Sequence, residues 1–193
     1  MKILLPLLAL LLAGCGPRLM VERAPGAALP GAATYAWSVA GDRIPGEEHP
    51  RVANDIVADL LRQAIDTGLA RRGWQAAENA AWHVHYHAGI EKRTEQVTEP
   101  ARPRLPRLVC TARHYCYETW DWGYWGPPEL STRTITYHEG TLVIDIHDAA
   151  SGKLVWRGTL SNEIDLRAAI DPAKLQKAVD RLLLQLPAGM PAP

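Results

Sequence analysis

The chain predicts an α+β fold, a mostly antiparallel β-sheet with two helices packed on one face. Three observations predict it. Runs with strand chemistry outnumber runs with helical spacing. One amphipathic helical stripe stands early in the chain and a second at its C-terminal end. Two alternating runs late in the chain are separated by a turn short enough to make them a hairpin.

Taken in order, residues 16–33 hold Pro17, Pro25 and Pro30 among several Gly and Ala, with no apolar period. They read as an extended, semi-flexible tether, in which Met20 and Val21 are too little for an element. Residues 34–39 are β-branched and aromatic and predict a strand. Residues 41–50 are turn chemistry. Pro50 suits a first helical position, and Val52, Ile56, Leu60, Ala64, Ile65 and Leu69 recur at helical spacing. Arg71 and Arg72 suit a helix C-terminus and Gly73 the residue beyond it, so a helix is predicted over about 50–72. Residues 74–76 begin a strand that Glu78-Asn79 interrupts. Residues 82–90 alternate and predict a strand with Trp82, Val84 and Tyr86 facing the core. The prolines at 100, 103, 106, 127 and 128 predict an irregular excursion over 98–131.

Residues 132–137 are β-branched again. Residues 141–147 and 153–160 are strands joined by the turn 148–152, with Leu142, Ile144 and Ile146 on one face of the first and Leu154, Trp156 and Leu160 on one face of the second. Asp171 and Pro172 open a helix as cap and first residue. Its stripe is Leu175, Val179, Leu182, Leu183 and Leu186, and Pro187 stops it. There is no internal repeat.

The N-terminus carries Lys2, an apolar run over 3–12 and the exit Leu12-Ala13-Gly14-Cys15. A charged start, a short apolar centre and a small-residue exit read as a secretory signal, not a membrane span. Ending in cysteine, the exit resembles the lipobox of bacterial lipoproteins, in which the cysteine is acylated, with palmitate or a similar chain, and becomes the new N-terminus. The resemblance implies a signal over 1–14, a lipidated Cys15 with its tether over 15–33, a domain over 34–187 and a tail over 188–193. It also implies membrane contact through the lipid. Gly16 stands where an aspartate retains such proteins at the inner membrane of enteric bacteria, which points to the outer membrane, facing the periplasm. Lys2 is the one charge removed with residues 1–14, so the chain's 21 basic and 21 acidic side chains become a formal charge of −1. A near-neutral chain of this kind has no bulk attraction to nucleic acid.

With Cys15 taken by lipid, Cys110 and Cys116 remain in a chain bound for an oxidising compartment. A disulfide is the natural reading. A metal pair is the alternative, at a spacing longer than zinc knuckles use.

The segments Thr34-Tyr35-Ala36-Trp37, Leu69-Ala70-Arg71-Arg72-Gly73-Trp74 and Trp82-His83-Val84-His85-Tyr86, together with residues 140–146, residues 153–158 and the ending Leu186-Pro187, resemble a family of bacterial lipoproteins, domain of unknown function 4136 (DUF4136). The likeness spans about 34–187. These motifs are structural, and the resemblance implies no activity. Ala81 stands where members often carry an acidic residue, and the loop between Cys110 and Cys116 departs from the family's usual glycine- and aromatic-rich middle.

Three constellations bear on function. His83, His85 and His87 share one strand face and are weak metal-ligand candidates, with His138 or His147 as a third ligand; the alternative is a plain polar face. Residues 115–126 hold Tyr115, Tyr117, Trp120, Trp122, Tyr124 and Trp125, preceded by Arg102, Arg104, Arg107 and Arg113. Arg107, Arg113 and the six rings are a candidate contact surface for an envelope protein or a glycan, or else a lid folded over a sheet face. Asp145, His147 and a nearby Ser131 or Ser151 are thin material for a hydrolase. No nucleophile elbow, phosphate loop or dinucleotide fingerprint is present, and both Asp145 and His147 are expected at the surface. The sequence therefore predicts a non-enzymatic envelope lipoprotein without a cofactor. A small-ligand or metal-binding module on the histidine strand is the alternative, and a hydrolase is third.

Overall fold

The structure, a computed structural model, describes residues 17–38, 43–100, 107–112, 115–119 and 130–187. In chain order the elements are β1 (Arg18–Arg23), β2 (Thr34–Trp37), α1 (Asp55–Arg71), β3 (Gln75–Ala76), β4 (Trp82–Pro100), β5 (Arg107–Cys110), β6 (Cys116–Thr119), β7 (Leu130–Asp148), β8 (Leu154–Ile164) and α2 (Pro172–Leu183). Six strands form a sheet in the order β1-β8-β7-β4-β2-β3, and β5 pairs with β6 alone. The sheet is mostly antiparallel, with β2 running parallel to β3 and β4. The α+β class is as the sequence predicts. The chain divides into two compact units, Arg93–Thr136 and the remainder.

In the larger unit α1 and α2 bury their apolar stripes on one face of the sheet. Tyr35, Val84, Leu142, Ile144, Ile146, Trp156 and Leu160 belong to that core, as the alternation predicts, but Leu154 does not and Val155 takes its place. Asp171 caps α2 through Ala173 N and Lys174 N, with Pro172 following, as expected. Val179, Leu182, Leu183 and Leu186 are buried and Leu175 partly so.

α1 departs from the sequence reading. Asn54, not a residue before Pro50, caps it by accepting from Val57 N at 3.0 Å, and residues 50–53 form turns. Its buried face is Val57, Leu61, Ala64, Ile65, Gly68 and Leu69, whereas Ile56 is 75% exposed. The cause is Gly68. A Cβ there would lie 2.7 Å from Leu183 Cδ1 and 3.3 Å from Val179 Cγ1, so the helix turns its bare position to α2 and the aliphatic residues flanking it follow. The C-terminal end behaves as predicted. Gly73 has φ +82°, and the amides of Gly73 and Trp74 return to the carbonyls of Ala70 and Leu69.

Two expected irregular segments are strands. Within 16–33, Arg18–Arg23 pairs along β8 from Arg18↔Ser161 to Arg23↔Trp156, and Leu29 is buried. Without β1, β8 would be an open edge; Leu19 and Val21, facing the core, make the pairing worthwhile. Within 98–131, β4 runs on to Pro100 and β7 begins at Leu130. Pro100 is the last residue of its strand, so it removes no ladder donor from the strand interior. Thr98 and Thr132 hydroxyls meet at 3.0 Å and Arg133 donates to Glu99 at 3.0 Å. With Ala149 N donating to Ala81 O at the other end, these contacts make β4 and β7 antiparallel.

Candidate functional site

The histidines of β4 lie opposite its core-facing residues, as the period of two dictates. They are not a uniform polar surface, because His87 is only 5% exposed. Its Nδ1 sits 2.5 Å from Glu47 Oε1 and its Nε2 3.9 Å from Asp145 Oδ2. Glu47 is delivered by a segment laid against β4. Ile90 N donates to Gly46 O at 3.1 Å, Gly46 has φ +81°, and a Cβ on Gly89 would run into the Pro45 carbonyl oxygen. Two glycines thus let one backbone rest on the other.

Asp145, expected at the surface, is fully buried. Arg157 stands directly across the β7–β8 ladder and donates through Nε at 2.7 Å and Nη2 at 2.6 Å. A bidentate fork of this kind is what makes a buried carboxylate tolerable. The turn at 148–152 alone would set 145 opposite 155; a register irregularity between Ile146 and His147 brings Asp145 opposite Arg157, so the pairing was not readable from the sequence.

His85 turns Nδ1 to the Ser38 carbonyl at 2.8 Å, and its ring meets that of His87 edge-on at 4.3 Å. Beside them lies a cavity of about 340 Å³, lined by Trp37, Arg43, Glu47, Arg62, His85 and His87 among others. Arg62 lies over the Trp37 ring at 5.3 Å. Asp66 accepts from Trp37 Nε1 at 3.1 Å and from the Tyr35 hydroxyl. Burial, and then this bond to Asp66, holds the Tyr35 phenol neutral far above its ordinary range. Burial also raises Tyr86, against the opposing pull of Arg62.

The metal candidates do not converge. Among the described residues no group of three or more His, Cys, Asp or Glu is placed to hold a metal ion. His83, His85 and His87 share a face, but His85 is turned to a carbonyl and His87 to Glu47. The hydrolase set does not converge either. Asp145 binds Arg157, His147 Nδ1 meets Gly152 O at 3.3 Å, and Ser151 donates to Asp148 at 2.6 Å.

The smaller unit carries the cysteines. Cys110 and Cys116 are a direct cross-strand pair of the β5–β6 hairpin, with Cα atoms 4.0 Å apart, and are joined by a disulfide. Inside that closure Thr111 N donates to Tyr115 O at 2.9 Å. Tyr115 is 71% exposed, Tyr117 is exposed beside it with ring centroids 6.4 Å apart, and Leu108 is exposed on the same hairpin. Arg107 opens β5. Arg102, Arg104, Arg113, Trp120, Trp122, Tyr124, Trp125 and Cys15 lie outside the described residues. Among the described residues no helix is long and apolar enough to cross a membrane.

A family model described as "Domain of unknown function (DUF4136)" matches residues 22–188, so the matched region begins inside β1 rather than at β2. No curated protein matches the chain. Solved structures also match the chain. A PDZ domain protein from Parabacteroides distasonis is 11% identical with a TM-score of 0.46; the match covers 89% of this chain, which spans only 36% of that one. A PelC dodecamer from Paraburkholderia phytofirmans is 11% identical with a TM-score of 0.41, covering 86% of this chain and 95% of its own. A DUF4136 family protein from Bacteroides thetaiotaomicron is 15% identical with a TM-score of 0.45, covering 88% and 95%.

Proposed function

We propose that this chain, which belongs to the DUF4136 family of domains of unknown function, is a lipid-anchored envelope protein that works by contact rather than by catalysis. In this reading acylated Cys15 holds it at the outer membrane, facing the periplasm, and the smaller unit meets an envelope protein or a glycan. One observation carries the reading: the Cys110–Cys116 hairpin with Tyr115, Tyr117 and Leu108 exposed on it. A disulfide suits an oxidising compartment, in agreement with the lipobox-like exit at Leu12–Cys15. The staple also limits the freedom the hairpin has to lose on binding, and flat aromatic rings are strong contact residues.

The test is made in the intact envelope. A photo-crosslinking side chain at Tyr117 should trap a defined partner, whereas the same group at Ile56, which is more exposed, should not. Equal, diffuse labelling at both positions would sink the contact reading. Globomycin, which blocks lipoprotein signal cleavage, should leave an uncut precursor, and processing that continues unhindered would sink the anchor.

A second reading, a small polar ligand in the cavity beside His85 and His87, is favoured by His87 Nε2, which is buried without a hydrogen-bond partner. It predicts that His87→Gln abolishes saturable binding of such a ligand while leaving the fold intact.

A further inference from the structure

β1 (Arg18–Arg23) ends the six-stranded sheet, and among the described residues no strand pairs with its outer edge. Which of its backbone groups face outward follows from one hydrogen bond. Ala24 N donates to Val155 O, in the same register as Arg18↔Ser161. Arg18, Met20 and Glu22 therefore turn their amides and carbonyls to β8, whereas Leu19, Val21 and Arg23 turn theirs to the open edge. The side chains alternate as well. Leu19 and Val21 pack against the core, while Arg18, Met20 and Glu22 stand on the opposite face, all exposed, with Met20 at 62%.

Charges on an edge strand ordinarily discourage pairing. Here Arg18 and Glu22 carry opposite signs and lie symmetrically about Met20, so they select a register instead. A second copy of β1, laid antiparallel with Met20 across from Met20, sets each Arg18 directly opposite the other copy's Glu22. The same register sets Leu19 opposite the other copy's Val21. Both turn their backbone groups to the open edge, so they exchange amide–carbonyl hydrogen bonds. A slip of one residue would set outward-facing groups against groups that already serve β8. A slip of two would put Arg18 across from Met20 or Ala24 and lose both ion pairs.

We infer that β1 is a self-association edge, at which two copies of this chain join their sheets through an antiparallel, two-fold-symmetric β1–β1 pairing. The contact is isologous, so it closes at two copies and does not propagate. Backbone hydrogen bonds supply the affinity, and the two Arg18–Glu22 pairs fix the register. Each copy contributes a strand of 6 residues, against about 20–30 a side in a standard interface, so the dimer is concentration-dependent. The pairing uses no residue of the Cys110–Cys116 hairpin.

The test uses the full chain with Cys15→Ser, so that no lipid holds copies together and, with Cys110 and Cys116 joined, no free thiol remains. Sedimentation equilibrium from micromolar to millimolar protein should show a monomer–dimer equilibrium. Arg18→Glu sets like charges across the pair and should raise the dimer Kd at least tenfold, as should Glu22→Arg. The two changes together restore opposite charges and should bring Kd back to within about threefold of the parent. Circular dichroism should show all three variants folded. Met20→Cys, oxidised mildly, should form an intermolecular disulfide, because a non-hydrogen-bonded cross-strand pair holds its Cα atoms about 4.5 Å apart, within disulfide range. Arg18→Cys, also exposed, should not. A chain that stays monomeric throughout would overturn the inference. So would a double reversal no tighter than the single ones, or a dimer that Arg18→Cys traps as readily as Met20→Cys.

Discussion

Asp145 gives the sharpest test of how the sheet's second face is held. Its carboxylate is fully buried and takes two charged hydrogen bonds from Arg157, whose side chain is 29% exposed. Removing one member of a buried pair typically costs ~3–5 kcal/mol, because the other charge is left without its partner. The two ends are not equivalent. After Asp145→Ala the guanidinium still reaches water and keeps another contact, so the lower end, about 3 kcal/mol, is expected. After Arg157→Met the buried carboxylate loses both hydrogen bonds and keeps His87 Nε2 at 3.9 Å, and about 5 kcal/mol is expected. For a chain of this size 1 kcal/mol moves Tm by roughly 2–4 °C, so Asp145→Ala should lower Tm by about 6–12 °C. Replacing both by apolar residues, Asp145→Leu with Arg157→Met, leaves no unpaired charge and should recover most of the loss. Urea unfolding of the parent, Asp145→Leu, Arg157→Met and the double variant, with m unchanged, closes the cycle. A double variant as unstable as the two single losses added together would refute the reasoning, as would an Asp145→Ala protein within about 1 kcal/mol of its parent.

Three further outcomes are expected. Gly89→Ala should cost ~1–3 kcal/mol by overpacking against Pro45 and should break the Ile90–Gly46 hydrogen bond, seen as faster exchange of the Ile90 amide; an unchanged Ile90 amide would remove the close-approach account. Asp148 is held below the ordinary carboxylate value by the Ser151 hydroxyl and then the Ser151 amide, so its contribution is present above the unfolded pKa of ~3.9 and is lost as pH falls through the lower folded value. Protection of the Ser151 amide should accordingly hold at pH 5 and fade only under acid, and Asp148→Asn should abolish that dependence; fading above pH 5 would contradict it. Cys110→Ser with Cys116→Ser removes closure of a very short loop, worth roughly 2 kcal/mol in the chain-entropy account. The amides of Leu108 and Tyr117 should then exchange faster, and equal protection with and without the disulfide would show the strands pairing unaided.

Much of the architecture was legible because it is local. The alternation of Leu142, Ile144 and Ile146, the turn at 148–152, and the Asp171-Pro172 cap each depend on residues within one or two turns of chain, and each appears as read. Arg18–Arg23 was illegible for the opposite reason. Its sequence is a poor strand alone and becomes one only because β8 offers it an unpaired edge. The face of α1 was misjudged because helical spacing permits two neighbouring stripes. The choice falls to Gly68, whose meaning depends on α2, more than a hundred residues later. For the candidate site, the three histidines on one face were readable from their spacing. That His87 is buried against Glu47 was not, because Glu47 arrives by a backbone approach that Gly46 and Gly89 permit.

By itself the sequence determined the fold class, the family-bearing motifs, the pairing of Cys110 with Cys116 and the expectation of a lipid address at Cys15. All follow from residue type and short-range spacing. The tertiary structure decided which stripe of α1 is inside, that Asp145 is buried beneath Arg157, and that Tyr115 and Tyr117 are exposed. Burial is a property of what packs on a residue from elsewhere in the chain, and no local pattern carries that information.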